Sequence, residues 1–236
     1  MKLATALFAF SILLAATLAC SIADQFTSPT DTPAPAPPVT KISACAPVKT
    51  AADEGDILYN AQVAEHAQAQ IRIQILTPKA IQTVEFIKPD RFFWHSEAGG
   101  VWDEAMSIGG TAYARGSAEP TWKQVPVLNP MAAIMMQPFI DPPKKNSGAD
   151  LLAQLTKSGI ANPKIEGRLV GYDPVAFFGS CVYELTFKSG DTVVYSQKTW
   201  IDPATGVRNK FEAKDETRTV IETRLFDYDG IKIEAP

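Results

Sequence analysis

From Ile71 onward apolar and polar residues alternate along most of the chain. Ile71, Ile73 and Ile75 are separated by Arg72 and Gln74, the spacing of a strand with one wet face. Ile81–Ile87 and Arg91–His95 continue in β-prone residues, divided by Pro89-Asp90. Trp102, Met106 and Ile108 share one side of the next expected strand, and Gly109-Gly110 is a two-residue hairpin signal leading into Tyr113. Trp122–Val125 predicts a further short strand. After Lys164 the alternation returns: Val182–Lys188, the Ser189-Gly190-Asp191 turn and Thr192–Ile201 predict a hairpin. Asp202 to Gly206 is a strong turn, and Val207–Ala213, Thr217–Leu225 and Ile231–Glu234 complete the run.

Three segments break this period. Asp56 to Gln70 predicts a first helix with Ile57, Ala61, Ala64 and Gln68 on one side, a thin apolar face. In mid-chain, Asn129-Pro130 supplies an N-cap and a first helical residue. Ala132, Met135, Met136 and Phe139 then recur at helical spacing, with Pro138 expected to end or kink the helix. The next helix has Ser147 as cap, Asp150 three residues later, Leu151, Leu152 and Leu155 facing inward, and Gly159 as stop. The sum is an α+β chain of about ten antiparallel strands, with two helices inserted midway. Short connections favour a meander.

The N-terminus has a different character. Met1-Lys2 followed by the uncharged apolar run Leu3–Leu18 reads as an export signal over residues 1–19, shorter than the ~20 apolar residues of a membrane span. Two processing routes are open. Ser21-Ile22-Ala23 suits cleavage before Asp24, whereas Thr17-Leu18-Ala19-Cys20 resembles a bacterial lipobox in which Cys20 is lipidated. The tract Thr27–Thr40, with Pro29, Pro33, Pro35, Pro37 and Pro38, cannot pack a core and behaves as an extended spacer. Residues 20–44 are therefore expected to be a tether, and residues 45–236 a single domain.

Composition narrows the chemistry. A net charge of −4 without any basic run argues against nucleic acid. Once the leader and Cys20 are set aside, Cys45 and Cys181 form an even pair, which in an oxidising compartment suggests one disulfide. GxSxG, HExxH, CxxC and phosphate-loop patterns are all missing, so no catalytic, cofactor or metal residues are assigned. The two histidines, His66 and His95, are far apart, and the adjacent acids Asp103-Glu104 and Asp215-Glu216 read as solvated turn or edge residues. The feature that does suggest function is the methionine-rich helix, because clustered methionines adapt to varied apolar partners. Helices laid on the hollow side of a curved sheet would leave an apolar space suited to acyl chains.

The stretch Val84-Glu85-Phe86-Ile87-Lys88-Pro89-Asp90-Arg91-Phe92 carries a PDR step. An IG-x-x-x-Y strand follows at Ile108-Gly109-Gly110-Thr111-Ala112-Tyr113, with Trp122 shortly after. Trp200-Ile201-Asp202-Pro203-Ala204-Thr205-Gly206 forms a W-I-D-x-x-T-G turn, and the chain ends in IEAP. In these features it resembles the LolA-like superfamily of bacterial envelope lipoproteins, most nearly its LppX/LprG-like lipid-binding branch. The resemblance implies a half-open antiparallel β-barrel, with helices packed on the concave face over a lipid site. On that reading Met131, Met135, Met136 and Phe139 form a lid, and Phe86, Phe92, Trp94, Trp102, Met106 and Tyr113 supply candidate walls. The expected function is non-enzymatic binding of lipid or lipoprotein acyl chains at the cell envelope, the domain being held to the membrane through Cys20. The rival expectation is a sensor or protein-interaction module on the same fold, with its cavity collapsed into core.

Overall fold

The alternating segments become eleven strands that pair antiparallel in one sheet. The computed structural model describes residue 45 and residues 51–145, 148–173 and 179–236. The expected signal peptide (1–19), the tether (20–44), the lipidation site Cys20 and the cap Ser147 lie outside the described residues. The order is α1 (Ala51–His66), β1 (Gln70–Leu76), β2 (Ile81–Ile87), β3 (Arg91–Ala98), β4 (Val101–Ile108), β5 (Thr111–Gly116) and β6 (Glu119–Val125). Next come α2 (Pro130–Ile140), α3 (Gly148–Lys157), β7 (Pro163–Asp173), β8 (Ser180–Ser189), β9 (Thr192–Ile201), β10 (Arg208–Asp215) and β11 (Val220–Asp227).

Hairpins build two meanders, β1–β6 and β7–β11, and pairing of β1 with β11 joins them. Across the sheet the order is β6-β5-β4-β3-β2-β1-β11-β10-β9-β8-β7, so the sheet is open, with β6 and β7 at its edges. The β4–β5 turn uses Gly109 and Gly110 at φ 57° and 80°, the left-handed conformation that tight hairpins demand.

Strand parity gives the sheet two unlike faces. One is apolar and carries α1, α2 and α3. On it α1 packs Ile57 and Ala61 with Cys181, Tyr183 and Ile201. Leu155 of α3 packs with Leu185 and Phe187, and Ala132 of α2 joins Ile71, Val84, Phe92 and Trp94. The other face is laced with cross-strand ion pairs, among them Arg72–Glu85, Glu104–Arg115, Arg168–Glu184 and Lys188–Glu166.

Three local expectations are revised. The α2 helix does not stop at Pro138. It runs to Ile140, and its last turn is closed by the Asp141 N–H donating to the Gln137 carbonyl at 3.0 Å. Ile231–Glu234 is not a strand, because β11 already has β1 and β10 on its two sides and leaves no edge to extend. That segment instead lies across the polar face, with Ile231 and Ile233 buried beside Met106 and Arg91 Nη1 donating to the Ile233 carbonyl at 2.9 Å. Glu104 is not a solvated edge residue either. Its strand has neighbours on both sides, and its carboxylate lies between His95 Nδ1 at 3.1 Å and Arg115 Nε at 2.5 Å.

Two long-range ties hold α1 down. The expected Cys45–Cys181 disulfide is present, closing a loop of 136 residues with Cα atoms 5.3 Å apart. A long-loop clamp of this kind restricts the unfolded chain and stabilises by about 2–4 kcal/mol. The second tie is ionic. Glu65 of α1 accepts from Arg208 Nε at 2.5 Å, from Arg208 Nη2 at 2.6 Å and from the Arg208 backbone N–H at 3.2 Å. Burial works against the charge on Arg208, but the Glu65 carboxylate and its hydrogen bonds outweigh it and hold the guanidinium above its ordinary value. Glu65→Ala strands that cation among apolar neighbours, and a loss of about 3 kcal/mol is expected in urea denaturation. Adding Arg208→Met recovers a large part of the loss, since no unpaired charge then remains.

Candidate functional site

The site is built around α2. Asn129 caps it, its Oδ1 accepting the Ala132 N–H at 2.7 Å, and Pro130 occupies the first turn, where no amide donor is needed. The remainder, Met131 to Ile140, contains no charged residue, and its one strongly polar side chain, Gln137, donates to Asp141 Oδ2 at 2.8 Å. A helix apolar on every side is ordinarily sunk in a core. Here Ala132 alone is buried, while Met131 and Ile140 are 45% and 50% exposed. The helix therefore lies on the sheet with apolar surface to spare.

Beneath it is an aromatic layer. Phe86, Phe92, Trp94 and Phe226 are buried there with Ile71, Ile75 and Val84, and Met135, Met136 and Phe139 pack against them. The Phe86 and Phe139 rings stack at 5.4 Å with planes 17° apart, fixing the C-terminal half of α2 over β2. Charges flank the layer without entering it freely. The Arg208 guanidinium lies 4.9 Å from the Phe226 ring centroid and is taken by Glu65. Arg224 lies 5.3 Å from the Phe211 centroid and is taken by Glu222 at 2.5 Å. Burial, then the nearby Glu65 charge, push the Tyr228 phenol well above its ordinary value, with Arg208 opposing. Tyr228 thus stays neutral and donates to the Arg208 carbonyl at 2.6 Å. Trp94 is 5% exposed, and its Nε1 has no hydrogen-bond partner among the described residues.

The expected lid and walls divide between the two faces. Phe86, Phe92 and Trp94 come together with Met135, Met136 and Phe139, and Met131 stands exposed at the start of the helix. Trp102, Met106 and Tyr113 are elsewhere. In the register Phe92 and Trp94 pair with Ser107 and Ala105, whereas Met106 pairs with Phe93 and Tyr113, and Trp102 pairs with Glu97. Parity consequently sends these three to the polar face, away from α2. There Met106 and Tyr113 cluster with Ile231 and Ile233 under the C-terminal segment. A cleft of about 230 Å³ opens beside them, lined by Phe93, Met106, Arg115, Trp122 and Lys232 among others. The Arg115 guanidinium lies 4.5 Å from the Trp122 ring centroid and 5.7 Å from that of Trp102.

Among the helix-face residues that the sequence does not single out for the site are Leu128, Phe211 and Phe226. Phe211 and Phe226 belong to strands at the far end of the chain, and only the β1–β11 pairing brings them under α2. Among the described residues no group of three or more His, Cys, Asp or Glu side chains is placed to hold a metal ion. No helix among them is long and apolar enough to cross a membrane.

No family model matches the chain, and no curated protein matches it. It is similar to several solved structures. MucB of Pseudomonas aeruginosa, in its complex with MucA, is 18% identical over 74% of this chain and 56% of that chain, at a TM-score of 0.38. The lipoprotein LppX of Mycobacterium tuberculosis is 9% identical over 78% of this chain and all of that chain (100%), at 0.44. A LolA superfamily protein from Nitrosomonas europaea is 12% identical over 77% of this chain and 93% of that chain, at 0.27. The chain thus spans little more than half of the MucB chain in that complex. At these scores no residue-by-residue correspondence is drawn.

The division of faces has a direct energetic consequence. In a double-mutant cycle, Phe86→Ala and Phe139→Ala are expected to couple by about 0.5–1.5 kcal/mol, the worth of a stacked aromatic pair. Tyr113→Ala and Phe139→Ala, on opposite faces, are expected to be additive in the same denaturation measurement.

Proposed function

We propose that this chain is a non-enzymatic envelope lipoprotein that shelters acyl chains of lipids or lipoproteins between α2 and the apolar face of its sheet, as a carrier or chaperone. One observation carries the reading. A helix with no charge on any side rests on an aromatic layer and leaves its own apolar surface half exposed. Such a surface is costly in water unless something apolar shares it. The open sheet would curl as a half-barrel with the helices on its concave side. Methionines at positions 131, 135 and 136 can change rotamer cheaply to admit a chain. Each methylene kept out of water in such a layer is worth ~0.8 kcal/mol relative to aqueous exposure, enough to hold a long chain in transit between apolar surroundings.

The setting fits that role. An apolar leader at residues 1–19 and the Cys45–Cys181 disulfide both suit an oxidising compartment outside the cytoplasm. With Cys20 acylated, the proline-rich residues 20–44 would hold the domain off the membrane it serves. Protein purified with its own N-terminus is expected to carry acyl-chain lipid detectable by mass spectrometry of an organic extract. A lipid-free preparation that also takes up no fluorescent fatty acid would overturn the proposal.

A second reading, a protein-interaction module, has its own support. The edge strand β7 is eleven residues long, pairs among the described residues with β8 alone and exposes Val170 and Tyr172. An edge of that length is a template for an added strand from a partner.

A further inference from the structure

The aromatic layer under α2 holds one polar atom that the fold itself leaves unused. Trp94 lies in the middle of β3, paired with Val84 on β2 and Ala105 on β4, both apolar and both buried. Its ring is enclosed among Phe86, Phe92, Ala132 and their neighbours. The Nε1–H is fully buried, yet no described residue accepts it. A buried N–H with no acceptor is a standing cost, and native structures rarely keep one without a use. Phenylalanine would carry no such cost, though it would also fill less of the layer; the indole brings apolar bulk together with a donor that the packing does not use.

We propose that Trp94 Nε1 is the polar anchor of the acyl-chain site, donating to the carbonyl oxygen of a neutral acyl ester whose chain lies between α2 and the sheet. This rests on the acyl-chain reading above and adds the chemistry of the ligand's polar end. Neutrality follows from the charges around the layer. A carboxylate needs a cation to enter a dry site, and the two arginines that flank it are already held by Glu65 and Glu222. An ester carbonyl needs only a single N–H donor, which is what the layer offers. Met135 and Met136 pack against the same cluster and are its adaptable side chains, able to change rotamer as a ligand enters.

The test compares methyl palmitate with n-octadecane, an alkane of matched length, in the full-length delipidated protein and in Trp94→Phe. The wild type is expected to bind the ester about three- to tenfold more tightly than the alkane, the worth of one neutral hydrogen bond. In Trp94→Phe the ratio of ester to alkane affinity is expected to fall to about one, each protein's own alkane affinity serving as the reference for the space the smaller ring leaves. In the wild type, the Trp94 indole N–H resonance shifts on adding the ester and stays in place on adding the alkane. Palmitate, with its carboxylate, gains nothing over the ester. An equal ester preference in both proteins, or an indole signal that ignores the ester, overturns the role of Trp94 while leaving acyl binding intact. Failure of the wild type to bind either probe overturns the acyl-chain reading and this inference together.

Discussion

The pairing of β1 with β11 is the contact on which the remaining architecture rests. Residues 72–76 meet residues 223–227 across it, joining the two ends of the domain. On the polar face Arg72 binds Glu85 of β2 at 2.5 Å and Asp227 of β11 at 3.3 Å, so one guanidinium spans three strands at the seam. On the helix face Ile73 stands opposite Phe226. Without this pairing there would be two separate meanders, each with a narrow apolar side and two raw edges. With it the apolar sides add, and one continuous surface is wide enough to seat three helices. The Glu65–Arg208 pair and the Cys45–Cys181 disulfide then fix α1 over the β8–β10 half. Among the described residues no comparable tie reaches α2, which is held there by its cap and by apolar contact.

That contrast gives the fold its functional shape. One end of the helix layer is clamped by covalent and ionic links, and the other is a charge-free helix resting on aromatic rings. Apolar contact is non-directional, so α2 can shift or share its surface at small cost, whereas displacing α1 breaks a buried ion pair. A site for long apolar ligands is best placed under the element that gives way. The polar face is organised differently, by cross-strand ion pairs and by the C-terminal segment pinned through Arg91 and Ile233.

Local patterns were legible in the chain; distant partners were not. Period-two alternation located the strands, Gly109-Gly110 located a hairpin, and Asn129-Pro130 located the start of α2, because each depends on neighbouring residues alone. Three buried positions of α1, Ile57, Ala61 and Ala64, were also readable from helical spacing. Face assignment was harder. Trp102, Met106 and Tyr113 look like Phe92 and Trp94 in composition, yet a shift of one residue in parity sends them to the opposite side of the sheet. Ile231 and Ile233 alternate like a strand, but they lie over the sheet because β11 has no free edge. Glu104 reads as solvent-facing until its neighbours on β3 and β5 turn out to be His95 and Arg115. Each miss turns on which segment lies alongside, and that is decided by contacts remote in sequence.

On the proposed function, α2 and the layer beneath it are the ligand-bearing side of the molecule. Backbone hydrogen exchange, measured with and without phosphatidylcholine vesicles as a source of acyl chains, tests it most directly. Slowed exchange in Pro130–Ile140 is expected on lipid uptake, with no change in residues 228–236 on the opposite face. Protection confined to residues 228–236, with α2 exchanging as before, would contradict it.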